Sequence, residues 1–396
     1  MNKLNPINIY ERIESIDLLR GFALLGILIM NIISFSNIGT GYMNPTIGAG
    51  IEGYNGFIHG FSYLFADMRF MSIFSILFGA GILIFSDNAI RKGTNAGKYH
   101  YRRMLLLLIF GLIHAYLIWM GDILVMYAIC GSIAYLMRNW SAKKLFIVGG
   151  IFFVVPILFS LSTYFFTPQE QLQEIFKFWT PTQEEIDTEI LVYQQGSYVD
   201  QLKPRISSAI ELQTLVFLIE QSWRILSMMM LGMILYRKGI LSAQKEKSFY
   251  QRYLIMGLAS GLALSGAGLY AAYSFDWDGI WFMNVGHFYN YVASLCVALG
   301  YIGLIMLWSK SNILLGLQSR LKAVGKLAFT NYILTSLICT FIFYGHGLGL
   351  FATMDRLEQM GIVTIVWMIL LIISPMILEK YKRGPLESIW RRFTYL

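Results

Sequence analysis

A histidine and an aspartate, His114 and Asp122, stand close together within an apolar region of the sequence. Two short apolar runs meet there and are separated only by Gly121-Asp122, which predicts a tight helical hairpin. Such a hairpin brings the imidazole and the carboxylate face to face, and a carboxylate that orients an imidazole prepares it to act as a general base. A carboxylate at a helix N-terminus is also a common cap, and this role alone would explain Asp122.

The first apolar run carries Arg20 and, eleven residues later, Asn31. At about 100° and 1.5 Å per residue, the two side chains share one helix face and lie about 16 Å apart along it. An amide in the membrane could donate a hydrogen bond to a developing oxyanion. The alternatives are structural: Arg20 extends to the membrane interface, and Asn31 bonds to a neighbouring helix.

Five more ionisable residues fall inside apolar runs, where burial is costly and suggests function. His59 is a second candidate for a general base. Asp67 and Arg69 are two residues apart, so on a regular helix they face different neighbours, unless the helix is broken there. Glu220 and Arg224 are four residues apart and are expected to pair. Structural ion pairs are the alternative interpretation of these four charged residues.

Three basic residues near the inner edge of the membrane are expected to bind phosphate groups together with Arg20. They are Arg102, Arg103 and Lys326. Asn331, which lies deeper in the membrane, is a second candidate donor to the oxyanion. His100 is interpreted as a loop residue. No histidine or carboxylate spacing is typical of a metal site, so neither a metal nor a permanently bound cofactor is expected.

The elements that must position these residues are membrane helices. The chain has 396 residues, of which 56% are hydrophobic and 14% charged, whereas an average soluble domain is about one-quarter charged. These values exclude a soluble enzyme and predict an all-α polytopic membrane protein. Ten apolar runs are long enough to be candidate spans. They lie near residues 18–38, 57–86, 103–120, 122–138, 144–166, 209–236, 253–274, 283–308, 324–345 and 361–379.

The net charge of +8 has a topological explanation. If the N-terminus is inside, all but seven of the 31 basic residues, Lys3 among them, fall in the inner loops and tails, as the positive-inside rule requires. We therefore expect a bacterial plasma-membrane protein with both termini cytoplasmic. Anionic lipid headgroups account for this basic surface, so no nucleic-acid partner is expected. The exceptions are Lys177, Lys203, Arg205 and Arg356 outside, and Arg20, Arg69 and Arg224 in the spans.

The predicted organisation has two five-helix halves, 1–166 and 209–396, on either side of an acidic external loop, 167–208. That loop contains Trp179 and several other aromatic residues. It is predicted either to form short amphipathic helices over the outer face or to be a solvated linker. The sequence does not determine the oligomeric state.

Several ordered stretches resemble the YeiB-like family of bacterial membrane proteins, which is labelled a domain of unknown function. They run from residue 13 to the C-terminus. They comprise SIDLLRGFALLGI at 15–27 leading to Asn31, RF at 69–70 with FSILFGAG at 74–81, RRML at 102–105, GLIH at 111–114, WMGDIL at 119–124, TNY at 330–332, GPLE at 384–387 and WR at 390–391. His114 and Asp122 belong to this pattern.

The YeiB-like family is similar, more remotely, to the transmembrane acyltransferase superfamily. That group includes O-acyltransferases of bacterial polysaccharides and the lysosomal heparan glucosaminide N-acetyltransferase. The resemblance implies an acyl-thioester donor such as acyl-CoA, which enters from the cytoplasm, and a cell-envelope acceptor near the outer side. Members carry an arginine and then histidine or asparagine in the first helix, here Arg20 and Asn31. The lysosomal enzyme also has asparagine there and uses a histidine after its first helix, for which His59 is the candidate in this chain. This chain lacks the histidine that polysaccharide O-acyltransferases have at the end of the first motif.

Two functions follow as hypotheses. The first is a membrane acyltransferase, in which His114 is oriented by Asp122 and takes the acceptor proton. His59 is the rival base, and Asn31 or Asn331 binds the oxyanion. The second is a small-molecule or lipid transporter, in which the acid–base pairs of Asp67, Arg69, Glu220 and Arg224 relay protons or neutralise a substrate.

Overall fold

A computed structural model of the protein describes residues 12–395, which include no β-strand. The tail with Lys3, assigned above to the inner face, lies outside these residues. The helices are α1 Glu14–Ser36, α2 Thr40–Met43, α3 Tyr54–Phe65, α4 Arg69–Arg91, α5 Ala96–Ile113, α6 Leu124–Leu136, α7 Ala142–Phe166, α8 Gln169–Ile175, α9 Gln183–Gln194, α10 Leu202–Glu211, α11 Ser222–Arg237, α12 Lys247–Ser274, α13 Gly279–Trp281, α14 His287–Ser309, α15 Leu315–Lys326, α16 Ala328–Phe343, α17 Arg356–Tyr381 and α18 Pro385–Tyr395.

The chain is an all-α, multi-pass membrane protein. Within residues 12–395, eight helical stretches are long and apolar enough to cross a membrane. The number is nine if α15 and α16, which are bent by 86°, together form one span. The tenth predicted run contains α6, which has 13 residues and is about 20 Å long. Because a bilayer core is about 30 Å thick, α6 is too short for a straight crossing. The predicted number of about ten spans thus becomes eight or nine long ones and one short helix.

Helices from the two predicted halves pack directly against each other. Gly21 of α1 lies under the Leu321 carbonyl of α15, and a Cβ at this position would come within 2.0 Å of that oxygen. A Cβ on Gly79 of α4 would likewise come within 2.0 Å of the Met229 carbonyl oxygen of α11. Only glycine allows backbones to approach this closely, and such crossings are typical of membrane helices.

One end of the bundle collects the basic segments, and we call it the basic end. Ser15 donates a hydrogen bond to the Leu241 carbonyl at 2.8 Å, and Lys322 pairs with Glu14 at 2.6 Å. The helix ends and loops assigned above to the inner side therefore meet each other in space.

The opposite end, which we call the loop end, joins the segments assigned to the outer side. Tyr54 donates to Asp355 at 2.6 Å, and the Gly345 amide donates to the Tyr193 carbonyl at 2.8 Å. The separation inferred from loop charge is thus reproduced as a separation of contacts between the two ends.

Residues 167–208 form helical structure over the loop end, as the first of the two alternatives predicted. The segment contains α8, a 3₁₀ turn at Lys177–Trp179, α9 and the start of α10. Trp179 is only 4% exposed and donates through its indole nitrogen to the Trp277 carbonyl at 2.9 Å. A buried aromatic anchor and a fixed hydrogen bond are incompatible with a solvated linker. We call residues 167–208 the cover.

Candidate active site

The connection between α5 and α6 departs from regular helix. The last turn before it, His114–Ile118, is π-helical, and such wide turns are frequent at functional sites. Asp122 accepts a hydrogen bond from the Val125 amide at 2.8 Å through one carboxylate oxygen. This is the capping role that the sequence suggested, and it leaves the other carboxylate oxygen available.

That second oxygen binds His114. The distance from His114 Nδ1 to Asp122 Oδ1 is 2.9 Å, and both side chains are fully buried. An ionised carboxylate only accepts hydrogen bonds, so a neutral imidazole beside it carries its hydrogen on Nδ1 and presents the Nε2 lone pair. The predicted approach of the two side chains is observed, and the imidazole is held in the tautomer that a general base requires.

The lone pair of His114 points to a residue that sequence analysis missed. Ser336, in the middle of α16, places its Oγ 2.9 Å from Nε2. The three side chains therefore form a continuous Ser–His–Asp chain of hydrogen bonds. A serine in an apolar helix gives no sequence signal of this kind, because serines also mediate ordinary helix packing.

A narrow cavity reaches Ser336 from the side of α1. It leaves about 10 Å³ for a water-sized sphere, roughly the room for one water molecule. Asn31 lines this cavity, so the structure brings it together with the His114 site as predicted. The lining residues are Leu24, Ile27, Leu28, Asn31, Phe35, Tyr332, Thr335 and Ser336.

The cover lies over the connection between α5 and α6. Tyr198 and the buried Arg205 both donate to the Leu117 carbonyl, at 2.7 and 3.0 Å. Tyr332 of α16 makes a further contact with this connection, because its hydroxyl accepts a hydrogen bond from the Ile123 amide at 3.3 Å. The backbone that presents His114 and Asp122 is therefore fixed from two sides.

Two ionisable groups near the cover have shifted pKa values. Burial raises the pKa of Glu189, although the Gly39 amide donates to this carboxylate at 2.9 Å and opposes the shift. Burial and the nearby Arg205 charge lower the pKa of His346, whose Nδ1 lies 3.2 Å from the Gln201 side-chain oxygen.

A second buried polar cluster surrounds the break between α3 and α4. Met68 there adopts a left-handed conformation with φ 62°, so the long second span is broken as anticipated. Arg69 donates to the freed Asp67 carbonyl and to the side chains of Asn290 and Ser265. Asn290 in turn donates to the Asp67 carboxylate at 2.8 Å, so Asp67 and Arg69 are linked through a third side chain.

Arg224 belongs to the same cluster, and here the predicted pairing with Glu220 is wrong. Arg224 donates to the hydroxyls of Ser72 and Ser294, at 3.0 and 2.7 Å, and to the Met68 carbonyl at 3.3 Å. Arg69 thus supplies a hydrogen bond to the Asp67 carbonyl at the helix break, where a backbone acceptor would otherwise lack a partner in an apolar environment. Arg224 adds to the bonds that the Met68 carbonyl receives from Ser72.

Glu220 lies 3.0 Å from His287 instead. The physical reason is local: residues Leu212–Gln221 form a π-helix, in which each turn is wider than the 3.6 residues of an α-helix. The i, i+4 rule that aligned Glu220 with Arg224 therefore does not apply.

His59, Asn331 and His100 lie in other surroundings than the sequence predicted. His59 packs against Trp277, with ring centroids 5.4 Å apart, and Asn331 donates to Ser374 at 2.9 Å and to the Val324 carbonyl. The structure brings neither into the His114 site. His100 is not a loop residue, because it is buried within α5 and stacks on Tyr135 at 4.2 Å.

The four candidate phosphate-binding residues lie at or near the basic end. Arg20 pairs with Asp17 at 3.0 Å, and Arg103 lies between the rings of Phe85 and Trp390. Arg102 and Lys326 are partly exposed. Arg20 and Arg103 are close enough to interact electrostatically, so two of the four candidates come together.

The tail motif at 384–387 caps the helix that carries Ser336. The Glu387 carboxylate accepts hydrogen bonds from the amides of Phe329 and Thr330, at 3.0 and 3.1 Å, and from the Thr330 hydroxyl. These are the first amides of α16, which have no partner within the helix. The resemblance motifs TNY and GPLE therefore meet in one contact.

Comparison with known proteins identifies relatives along the whole chain. A family described as "Protein of unknown function (DUF418)" matches residues 235–396. The uncharacterized protein YeiB of Escherichia coli is 29% identical over 97% of this chain and 96% of its own length. The uncharacterized protein YxaH of Bacillus subtilis is 30% identical, over 100% of this chain and 97% of its own. The chain therefore belongs to the YeiB-like family, which the residues around His114 and Asp122 had suggested.

Proposed function

We propose that this protein is an integral membrane acyltransferase of the bacterial plasma membrane. It transfers an acyl group from a cytoplasmic acyl thioester, such as acyl-CoA, to an acceptor at or beyond the outer face. The observation that carries the proposal is the buried contact between His114 and Asp122, with the free imidazole nitrogen on a hydroxyl at a cavity.

His114 is the general base of this reaction. An acceptor hydroxyl or amine must lose a proton as it attacks the acyl carbon, and Nε2 takes that proton. Asp122 is a positioning residue that fixes the tautomer and stabilises the imidazolium. Asn31, across the same cavity, is the candidate donor to the developing oxyanion.

The donor side of the proposal uses the basic end. Arg20 precedes Asn31 on α1 by eleven residues, and Arg103 precedes His114 on α5 by the same number. Each pair spans about 16 Å along its helix, a distance suited to a long, flexible thioester arm. Phosphates held at Arg20 and Arg103 would then place the thioester near the cavity, with both chain termini on the same cytoplasmic side.

Transport through acid–base pairs remains the alternative, and the contacts favour it less. Arg69 and Arg224 are bound to fixed neutral oxygens and bridge the helix break. Since the terminal nitrogens of both arginines are already engaged, the cluster is better suited to holding helices together than to binding and releasing a charged substrate.

The test is turnover of acetyl-CoA and of longer acyl-CoAs by the purified protein in liposomes that contain bacterial envelope extract, measured as thiol release. The wild type is expected to release thiol, and His114→Ala is expected to lose at least about 10²-fold in rate. His100→Ala is the matched control, because it removes another buried imidazole that has no carboxylate partner. Equal rates for the wild type and His114→Ala would contradict the proposal.

A further inference from the structure

We propose that Ser336 is the nucleophile of the reaction and carries the acyl group as an ester between two half-reactions. This inference rests on the proposed acyl transfer and goes beyond it, because a general base alone needs no covalent intermediate. Ser336 contacts His114 Nε2 at 2.9 Å, which is the relation between nucleophile and base that activates a hydroxyl.

The Ser336 hydroxyl lies closer to the His114 imidazole than to its own backbone acceptor. A buried helical serine usually donates to the carbonyl four residues earlier, and for Ser336 that carbonyl, Tyr332, is 3.4 Å away. Other serines in the helices of this chain make the same bond at 2.6–2.9 Å. They are Ser72, Ser86, Ser132 and Ser260. Ser336 therefore forgoes a short backbone bond and uses the imidazole instead.

No other histidine of residues 12–395 is arranged in this way. His100 lies on a backbone carbonyl, His287 contacts the carboxylate of Glu220, and His346 lies on an amide oxygen. Only His114 combines a carboxylate on one nitrogen with a hydroxyl on the other. The combination is specific to this site and is not a general way in which this protein buries histidine.

The cavity provides the place for the acyl carbonyl. Ser336 and Thr335 line it from α16, and Asn31 lines it from α1. An acyl group on Ser336 would thus have a carboxamide on the facing helix, which can donate to the oxyanion of each tetrahedral intermediate. The cavity has room for about one water molecule, so the helices must separate to admit a thioester.

The chemistry balances as two displacements. In the first, His114 Nε2 takes the Ser336 proton while Oγ attacks the thioester carbon. The C–S bond then breaks, and the thiolate leaves with the proton from His114. In the second, the acceptor O–H or N–H gives its proton to His114 and attacks the ester. The C–Oγ bond breaks, and Ser336 recovers its proton.

The experiment is to mix the purified protein with acetyl-CoA without an acceptor, quench with acid and measure the intact mass and the modified peptide. The wild type is expected to gain one acetyl group on Ser336 and to release one equivalent of thiol in a burst. Ser336→Ala is expected to gain none and to lose at least about 10³-fold in turnover. Ser260→Ala, which removes an exposed helical hydroxyl that donates to its own backbone and lies away from the cavity, is expected to acylate as the wild type does.

Ser336→Cys provides a second variant, whose thioester adduct is expected to be cleaved by neutral hydroxylamine. The inference is overturned if Ser336→Ala retains more than one-tenth of wild-type turnover, or if wild-type protein turns over with no acyl adduct after the acid quench. In either case loss of turnover in His114→Ala would still support the proposed general base. Absence of any thiol release from wild-type protein would instead refute the proposed function itself.

Discussion

The protein interrupts its apolar helices at two places that contain buried ionisable groups, and these places differ in what the groups contact. At the break between α3 and α4, Arg69 and Arg224 donate to backbone carbonyls and neutral side chains. At the connection between α5 and α6, His114 keeps a lone pair on a hydroxyl beside a cavity.

The difference teaches that a charge buried in a membrane protein is not by itself a site. The arginine cluster binds together α4, α11, α12 and α14, and it supplies the hydrogen bonds that a broken helix lacks in lipid. The histidine is held just as firmly through Asp122, yet its second ring nitrogen contacts a hydroxyl beside a cavity. Variants of each region should therefore affect different measurements.

The largest effect is expected from Asp122→Asn. The amide oxygen keeps the cap on Val125, but an amide facing Nδ1 no longer fixes the productive tautomer or stabilises the imidazolium. We expect acyl-CoA turnover to fall by about 10²–10⁴-fold, with little change in the melting temperature. If Asp122→Asn lowered the melting temperature and the turnover together, Asp122 would be only a structural cap. The two regions would then no longer differ in what their buried groups do.

Arg224→Met should do the opposite. It keeps an apolar stem but removes the buried donor to the Ser72 and Ser294 hydroxyls, so we expect a loss of about 3 kcal/mol in stability. Turnover per folded molecule should stay within about twofold. Arg320→Met, at an exposed arginine, is the matched control and should change the melting temperature little in detergent. A large loss of turnover in folded Arg224→Met would indicate that this arginine cluster takes part in binding the substrate.

Glu387→Ala should show whether the site depends on its distant cap. Removing an N-terminal cap costs about 1–2 kcal/mol, and here it frees the first amides of the helix that carries Ser336. We expect a moderate fall in melting temperature and a several-fold loss of turnover, both largely restored in Glu387→Gln, whose amide oxygen still accepts hydrogen bonds. If Glu387→Ala were destabilised but kept its turnover, the site would not depend on the cap that the tail provides.

The smallest effect concerns the cover. The folded protein raises the pKa of Glu189 above its ordinary value of 4.5, so the folded state retains a proton that the unfolded chain releases. Stability should therefore decline as the pH rises from about 4.5 to the raised pKa and then level off. Glu189→Gln, which keeps an acceptor for the Gly39 amide, should lack this decline in melting curves taken across pH. An identical pH profile for both proteins would contradict the assignment.

Much of this architecture was predictable, since hydrophobic run length is a strong signal in lipid. Each predicted run lies on helix, and the short spacing between His114 and Asp122 forced their contact. Loop charge also grouped the segments that meet at each end. These inferences depend on features that are local in sequence.

The misses share one cause, which is that contacts between distant helices leave no local signal. Ser336 resembles any packing serine until α16 is placed beside the connection between α5 and α6. The pairing of Glu220 with His287 depends on a π-helical segment that regular periodicity does not reveal. The contacts of Arg69 depend on Ser265 of α12 and Asn290 of α14, and those of Arg224 depend on Ser72 of α4 and Ser294 of α14.

The cap that Glu387 places on α16 also has a consequence for biogenesis. The ribosome makes Glu387 58 residues after Phe329, so the helix with Ser336 emerges and enters the membrane with its first amides still unpaired. The reactive constellation is therefore completed only near the end of translation, after His114 and Asp122 have long been synthesised. A chain that stalls or is cleaved before this tail would carry His114, Asp122 and Ser336 and still lack the cap on the helix that holds Ser336.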